Sequence, residues 1–270
     1  MTKKSEKAVE ATDNLQPLLD HGTEMLAGGA ATVAVTTITW LLGGGPEAIA
    51  IGGTVGRGIQ IALGKVGGEI SSRQLGPREE KRVGATLIIA AEEINRRLKN
   101  GEALRGDDFF DEKQTGRSDA AEVAENVLLK AQREPEEKKI PYMGHLLSSI
   151  AFDPQISAQM AHQLAKIAEQ LTYRQLCILR LSEVKDEFGL RDHDYSNHGP
   201  PERDLYQVLY ECAELYNKEY INFRSDMDYG IANVIPGRMT LQGIGADLYN
   251  LMKLRLIPKQ DIVPIAEQLK

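Results

Sequence analysis

Apolar residues recur at every third or fourth position from Val83 to Leu98: Val83, Leu87, Ala90, Ile94 and Leu98. That spacing places them on one stripe of a helix. The helix is predicted to open with Pro77, Glu79 and Glu80, whose fixed φ and negative charge suit a helix N-terminus, and to end before Gly101. The segment "GEALRGDDFFDEKQTGRSD" (101–119) reads as a loop, anchored to a core by Phe109 and Phe110. A shorter helix follows from Asp119 to about Arg133, with Asp119 and Glu122 at capping-box spacing. "PEEKKIPYMGHLLSSIAFDP" predicts a further helix, bent at Pro141. Ile156, Met160, Leu164, Ile167 and Leu171 line the next one.

The helical pattern continues to the end of the chain. Thr172 is placed to cap "YRQLCILRLSEVKDEF". A helix over 203–217 turns Leu205, Val208, Leu209, Cys212 and Leu215 inward. "YINF" and "IANVI" read as two short strands joined by "RSDMDYG". A helix capped by Thr240 follows, and the run from Ile262 to Leu269 closes the chain.

The front follows different rules. Residues 25–46, "MLAGGAATVAVTTITWLLGGGP", carry no charge. About 20 helical residues cross a bilayer core, and Trp40 stands near one end, where an interfacial aromatic sits. Gly43, Gly44, Gly45 and Pro46 break that arm, and Pro46 with Glu47 opens a second one. Along the second arm Ala48, Gly52, Gly56, Gln60, Gly64 and Gly68 recur every four residues and form one ridge. All but Gln60 are small, the pattern by which membrane helices approach closely. Glycine costs about 1 kcal/mol against alanine in a helix interior, and close packing offsets that cost. Two readings stay open. The hairpin enters or touches a membrane, in which case Arg57 must face a wet lumen or a partner. Alternatively it is the buried core or oligomer interface of a soluble protein, and "TVAVTTIT" is a strand. "GGTVGRG" lacks the preceding strand and the ribose-binding acid of a dinucleotide loop.

Composition sharpens this division. Fourteen of the 25 glycines lie between Gly22 and Gly76, and 12 of the 15 aromatics lie at or after Tyr142, so a glycine-rich front is joined to an ordinary globular back. The organisation read from this is a polar segment over 1–24, a glycine-zipper hairpin over 25–72, a helical middle region over 73–152 and a helical domain over 153–270. No repeat of solenoid length is present. The polar start "MTKKSEKAVEATDNLQPLLD" has no apolar signal core, so a cytoplasmic protein is expected, associated with the inner membrane if the hairpin inserts. The net charge of −7 argues against nucleic acid as a partner, and homo-oligomerisation through the ridge is expected instead. Cys177 and Cys212 fall in apolar helical patterns without CxxC spacing and read as buried free thiols.

The search for chemistry yields little. Asp192, His193, Asp194 and His198 bring four ligand-type side chains within seven residues, but such clusters are more often solvated turns than metal sites. No serine, cysteine or threonine stands in a nucleophile motif. The expectation is a non-enzymatic protein with no catalytic, cofactor-binding or metal residues.

Two resemblances add to this reading. "LTYRQLCIL" (171–179), "LYNKEYINF" (215–223) and "MTLQGIGADLYNLM" (239–252) resemble a winged helix over roughly the last 100 residues. Such modules often read DNA, but 151–270 holds 13 basic and 17 acidic residues, so a protein-contact role is preferred. Glu136, Glu137, Lys138, Lys139, Leu146, Leu147, Leu171, Thr172, Gln175 and Leu179 resemble the pattern of an uncharacterised family of bacterial helical proteins, and more loosely the abortive-infection alpha-type proteins. That likeness covers about 70–255 and implies a bacterial or prophage protein in phage defence without known enzyme activity. The fold class expected is mainly α: a glycine-rich helical hairpin, then a multi-helix body ending in a winged-helix-like unit with a small β-hairpin.

Overall fold

The computed structural model describes residues 62–70, 73, 75–196, 199, 201–223 and 230–270. These residues are mainly α-helical and fall into two compact units, 62–170 and 171–270. Among them no helix is long and apolar enough to cross a membrane.

The first unit begins with helical residues 62–70 (α1). Helix α2 (Pro77–Lys99) opens as its sequence requires: the Gly76 N–H donates to Glu79 Oε2 at 2.8 Å, and Pro77 occupies the first turn. The stripe through Val83 and Ile94 is buried, but so is every residue from Val83 to Ala91. Two faces of α2 are covered, because α3 (Asp119–Arg133) and α4 (Ile140–Ile150) both pack on it. Small residues in "VGATLIIAA" allow this. The closest approach is at Gly144 of α4, where a Cβ would lie 2.9 Å from Ile89 Cβ and from the Thr86 carbonyl of α2. α5 (Ala158–Gln170) completes the unit by packing on α3 and α4.

Two local expectations are corrected here. The cap of α3 is Ser118, whose Oγ accepts from the Ala121 N–H at 3.2 Å, and Asp119 lies within the first turn. Pro141 sits in the first turn of α4 after a 3-10 turn over Glu137–Lys139, so it starts that helix instead of bending one. Its missing N–H has no intrahelical partner to lose there.

In the second unit α6 (Tyr173–Val184) is central and contacts α7 (Arg203–Asn217), α8 (Ile244–Leu251) and α9 (Lys259–Gln268). Its start is the capping box expected at Thr172: Thr172 Oγ1 accepts from the Gln175 N–H at 3.1 Å, and Gln175 Oε1 accepts from the Thr172 N–H at 3.0 Å. Strand β1 (Ile221–Asn222) pairs antiparallel with β2 (Thr240–Leu241), with Ile221 opposite Leu241 and Asn222 opposite Thr240.

That pairing overturns the expected hairpin between "YINF" and "IANVI". Ile231–Asn233 form a 3-10 turn, and the carbonyl of Ala232 accepts from the Tyr195 N–H at 2.7 Å. Pro236 follows, and the Gly237 N–H donates to the Arg191 carbonyl at 2.8 Å, so this segment is tied to the 191–195 loop. Thr240 therefore belongs to β2, and α8 begins after Gly243. Gly245 could be no other residue in this backbone, since a Cβ there would lie 2.0 Å from the Tyr220 carbonyl oxygen.

Candidate functional site

The glycine ridge enters the described residues at its end. Ala48, Gly52, Gly56, Arg57, Gln60 and Trp40 lie outside them, while Gly64 and Gly68 lie on α1. On that helix Ala62, Leu63, Val66 and Ile70 are buried, none more than 3% exposed, and Gly64 is buried with them. No described atom lies within 4 Å of where a Cβ on Gly68 would sit. Helix α1 is thus held by its apolar face, with open space among the described residues at Gly68.

Ion pairs fasten the same region. Arg73 and Arg117 both reach the Glu125 carboxylate at 2.7 Å, and Arg117 also lies 3.4 Å from Glu69. Burial pushes the Glu125 carboxyl up, but hydrogen bonds and charge from Arg73 and Arg117 outweigh it and hold the group below its ordinary pKa. Lys65 Nζ donates to the Gly116 carbonyl at 3.3 Å. Helix α1 and Arg73 after it are therefore tied to α3 and to the loop before it.

Of the charged motif "EEKK", Lys139 is buried and plays an internal part. Lys139 and Glu134 are almost wholly buried, and Lys139 Nζ lies 2.5 Å from Glu134 Oε2. Lys139 Nζ also donates to the Glu169 carbonyl at 3.0 Å, while the Glu136 N–H donates to Glu134 Oε1 at 3.0 Å. The turn between α3 and α4 is thereby joined to the end of α5. Arg105 does similar work nearby: its guanidinium grips Asp107 in two places, at 2.7 and 2.5 Å, and donates to the Ile156 carbonyl at 2.8 Å.

The polar loop that suggested a metal is committed elsewhere. Asp194 accepts from the Ser196 N–H at 3.1 Å and from Ser196 Oγ at 2.6 Å, and these bonds hold its carboxyl below the usual range. Asp192 lies 3.3 Å from Arg238, and His193 is exposed. His198 lies outside the described residues, among which no three His, Cys, Asp or Glu side chains gather as a metal site would require. Cys177 and Cys212 are buried, as expected, and no disulfide joins them. Burial pushes the Cys212 thiol up to about 12, which leaves it protonated and unreactive near neutrality.

Sequence reasoning missed one concave feature. In the second unit a groove of about 740 Å³ runs along α7 beside β1, lined by Tyr210, Glu214, Asn217, Glu219, Asn222 and Gln242. Tyr210 is 53% exposed, and Tyr206, one turn earlier on the same face, is 48% exposed. Tyrosines at i and i+4 on the polar face of a helix were the available signal. Comparison with known protein families, curated proteins and solved structures finds no match to this chain.

Proposed function

We propose that this is a non-enzymatic, self-associating bacterial protein that acts through its glycine-rich hairpin. The body over 75–170 grips α1, the base of the second arm. The hairpin carries the surface that pairs with a second copy and engages the inner membrane. The observation that supports this reading is the burial of Ala62, Leu63, Val66 and Ile70 together with the ties from Glu69 and Arg73 to the body. An arm fixed at one end moves with the body that holds it, so a trigger that binds two states of the body unequally shifts the hairpin between them. The resemblance to abortive-infection alpha-type proteins supports a place in antiviral defence. The helical order of 171–270, together with its acidic balance, supports a winged-helix-like unit in a protein-contact role.

The burial of α1 also favours a second reading, in which the whole hairpin is the core or oligomer interface of a soluble scaffold. Sedimentation velocity and flotation with phosphatidylethanolamine–phosphatidylglycerol liposomes separate the two, using the full chain and its Gly56→Ile and Arg57→Leu variants. The proposal expects an oligomer that floats, dissociation by Gly56→Ile, and an intact assembly with altered liposome leakage for Arg57→Leu. A branched side chain at Gly56 holds two backbones apart in lipid or in protein. An oligomer that neither floats nor permeabilises liposomes supports the scaffold. A monomeric parent, or an oligomer untouched by Gly56→Ile, removes self-association through the ridge from both.

A further inference from the structure

The groove on α7 goes beyond the hairpin and does not depend on it. We infer that it is a docking site for an extended, arginine-bearing peptide segment of a protein partner. Its size comes first: the groove is open, and about 740 Å³ gives room for a short peptide segment. Its exposed aromatic comes second: Tyr210 lines the groove and is 53% exposed, and Tyr206, one turn earlier on the same face of α7 but outside the lining, is 48% exposed. Tyrosine offers wide contact area with few torsions to fix, and it is enriched where partners bind most tightly.

The charge of the lining selects the occupant. Glu214 and Glu219 face the groove, and no described lysine or arginine lines it. Glu214 is already shared, one oxygen 2.7 Å from Lys218 Nζ and the other accepting from Gln175 Nε2 at 2.8 Å. Glu219 is exposed and pairs with no cation among the described residues. Phosphate or nucleic acid is repelled by such a lining, whereas a cation is drawn to it. The Asn217 side chain is exposed, and Asn222 Nδ2 donates to Gln242 Oε1 at 2.8 Å, so the lining sets polar groups along the path of a peptide backbone. A guanidinium can stack on a tyrosine face while its fork meets a carboxylate, which a lysine ammonium does less well.

Glu219 adds a feature that makes the test clean. It closes α7 with a left-handed backbone, φ +59°, its N–H bonded to the Tyr216 carbonyl at 2.8 Å while the Tyr220 N–H reaches Leu215 at 2.9 Å. Glycine is the residue that this cap favours. Glu219→Gly therefore suits the fold while deleting the carboxylate offered to the partner.

The experiment is fluorescence polarisation of the full chain with a fluorescein-labelled octapeptide carrying two arginines among glycine, serine and leucine. The same peptide with lysines, the same with glutamates, and a single-stranded DNA oligonucleotide serve as comparisons. Saturable, salt-sensitive binding is expected in the order arginine, lysine, glutamate. Tyr210→Ala and Glu219→Gly should each weaken the arginine peptide by about tenfold. Glu219→Gly should melt no lower than the parent, which excludes misfolding as the cause. Absence of saturable binding, equal binding of the glutamate peptide, preference for the oligonucleotide, or unchanged affinity in both variants would each overturn the assignment.

Discussion

Among the described residues of 62–170, four charged side chains are buried, Glu93, Arg105, Glu134 and Lys139, and no large apolar side chain is exposed. Among the described residues of 171–270 the balance reverses: Lys253 is the one buried charge, while Tyr206, Tyr210 and Val263 are exposed. Arg105, Glu134 and Lys139 act on turns and helix ends, where backbone groups would otherwise lack partners, while Glu93 meets Arg96 within α2. The ion pairs of the second unit lie nearer its surface. Arg174, for example, meets Glu211 in two bonds of 2.8 Å with the arginine side chain 39% exposed. One unit is thus built to hold a shape, and the other leaves aromatic area free for contact.

The contrast is most exposed to test at Lys139. Lys139→Met leaves Glu134 buried without its cation, and breaking a pair of that kind costs about 3–5 kcal/mol. Glu134→Leu combined with Lys139→Met should recover most of that loss, because replacing both members removes the burial penalty of each charge. The parallel change in the second unit, Arg174→Met, should cost less, because the Glu211 side chain left behind is 13% exposed where that of Glu134 is 2%. Urea denaturation of the four full-length proteins supplies the comparison. Equal losses for Lys139→Met and Arg174→Met would erase the distinction between the units.

What the chain disclosed before folding was the local part of this picture. The stripe from Val83 to Ile94, the opening at Pro77 and the box at Thr172 and Gln175 all follow from interactions within a few residues. Ser118 was missed in favour of Asp119 because both are good caps and only the path of the chain chooses between them. Strand pairing was misread because it is decided at a distance: β1 takes Thr240–Leu241 after the 191–195 loop has claimed the nearer segment. Glycine deceived in a similar way. A regular ridge drew attention to Gly68, where a Cβ would meet no described atom, and away from Gly144 and Gly245, where it would collide. Spacing can mark a smooth face, but only the neighbour shows whether smoothness is needed. The groove left only the spacing of its tyrosine with Tyr206 to be read, since Asn222 and Gln242 come together through the β1–β2 pairing and Glu219 joins the lining from a left-handed backbone.

Gly144 offers the next largest effect and tests whether the first unit is as tightly set as its buried charges suggest. In Gly144→Ala the new methyl would sit 2.9 Å from Ile89 Cβ, Ile89 Cγ2 and the Thr86 carbonyl. None of these is the free end of a flexible side chain, so α2 and α4 must move apart. Forcing a methylene into a well-packed contact costs about 1–3 kcal/mol. A thermal melt at or above the parent's would mean that the helices separate freely, and the first unit could then no longer be described as rigid.

The smallest effect belongs to Gly68, and its sign carries the information. The residue lies inside the helical run 62–70, with no described atom within 4 Å of the position a Cβ would take. Alanine is better than glycine in a helix interior by up to about 1 kcal/mol, so Gly68→Ala should raise the stability of the first unit slightly. The same methyl stands at the last place on the ridge through Gly52, Gly56 and Gly64. If a second copy approaches along that ridge, the methyl holds it away, and sedimentation should show weaker self-association in a protein that melts higher. A rise in melting temperature with unchanged assembly would confine the pairing surface to positions before Gly68. A fall in melting temperature would mean that Gly68 is packed against another part of the protein, and the open place at the base of the arm would be lost as a docking surface for a second copy.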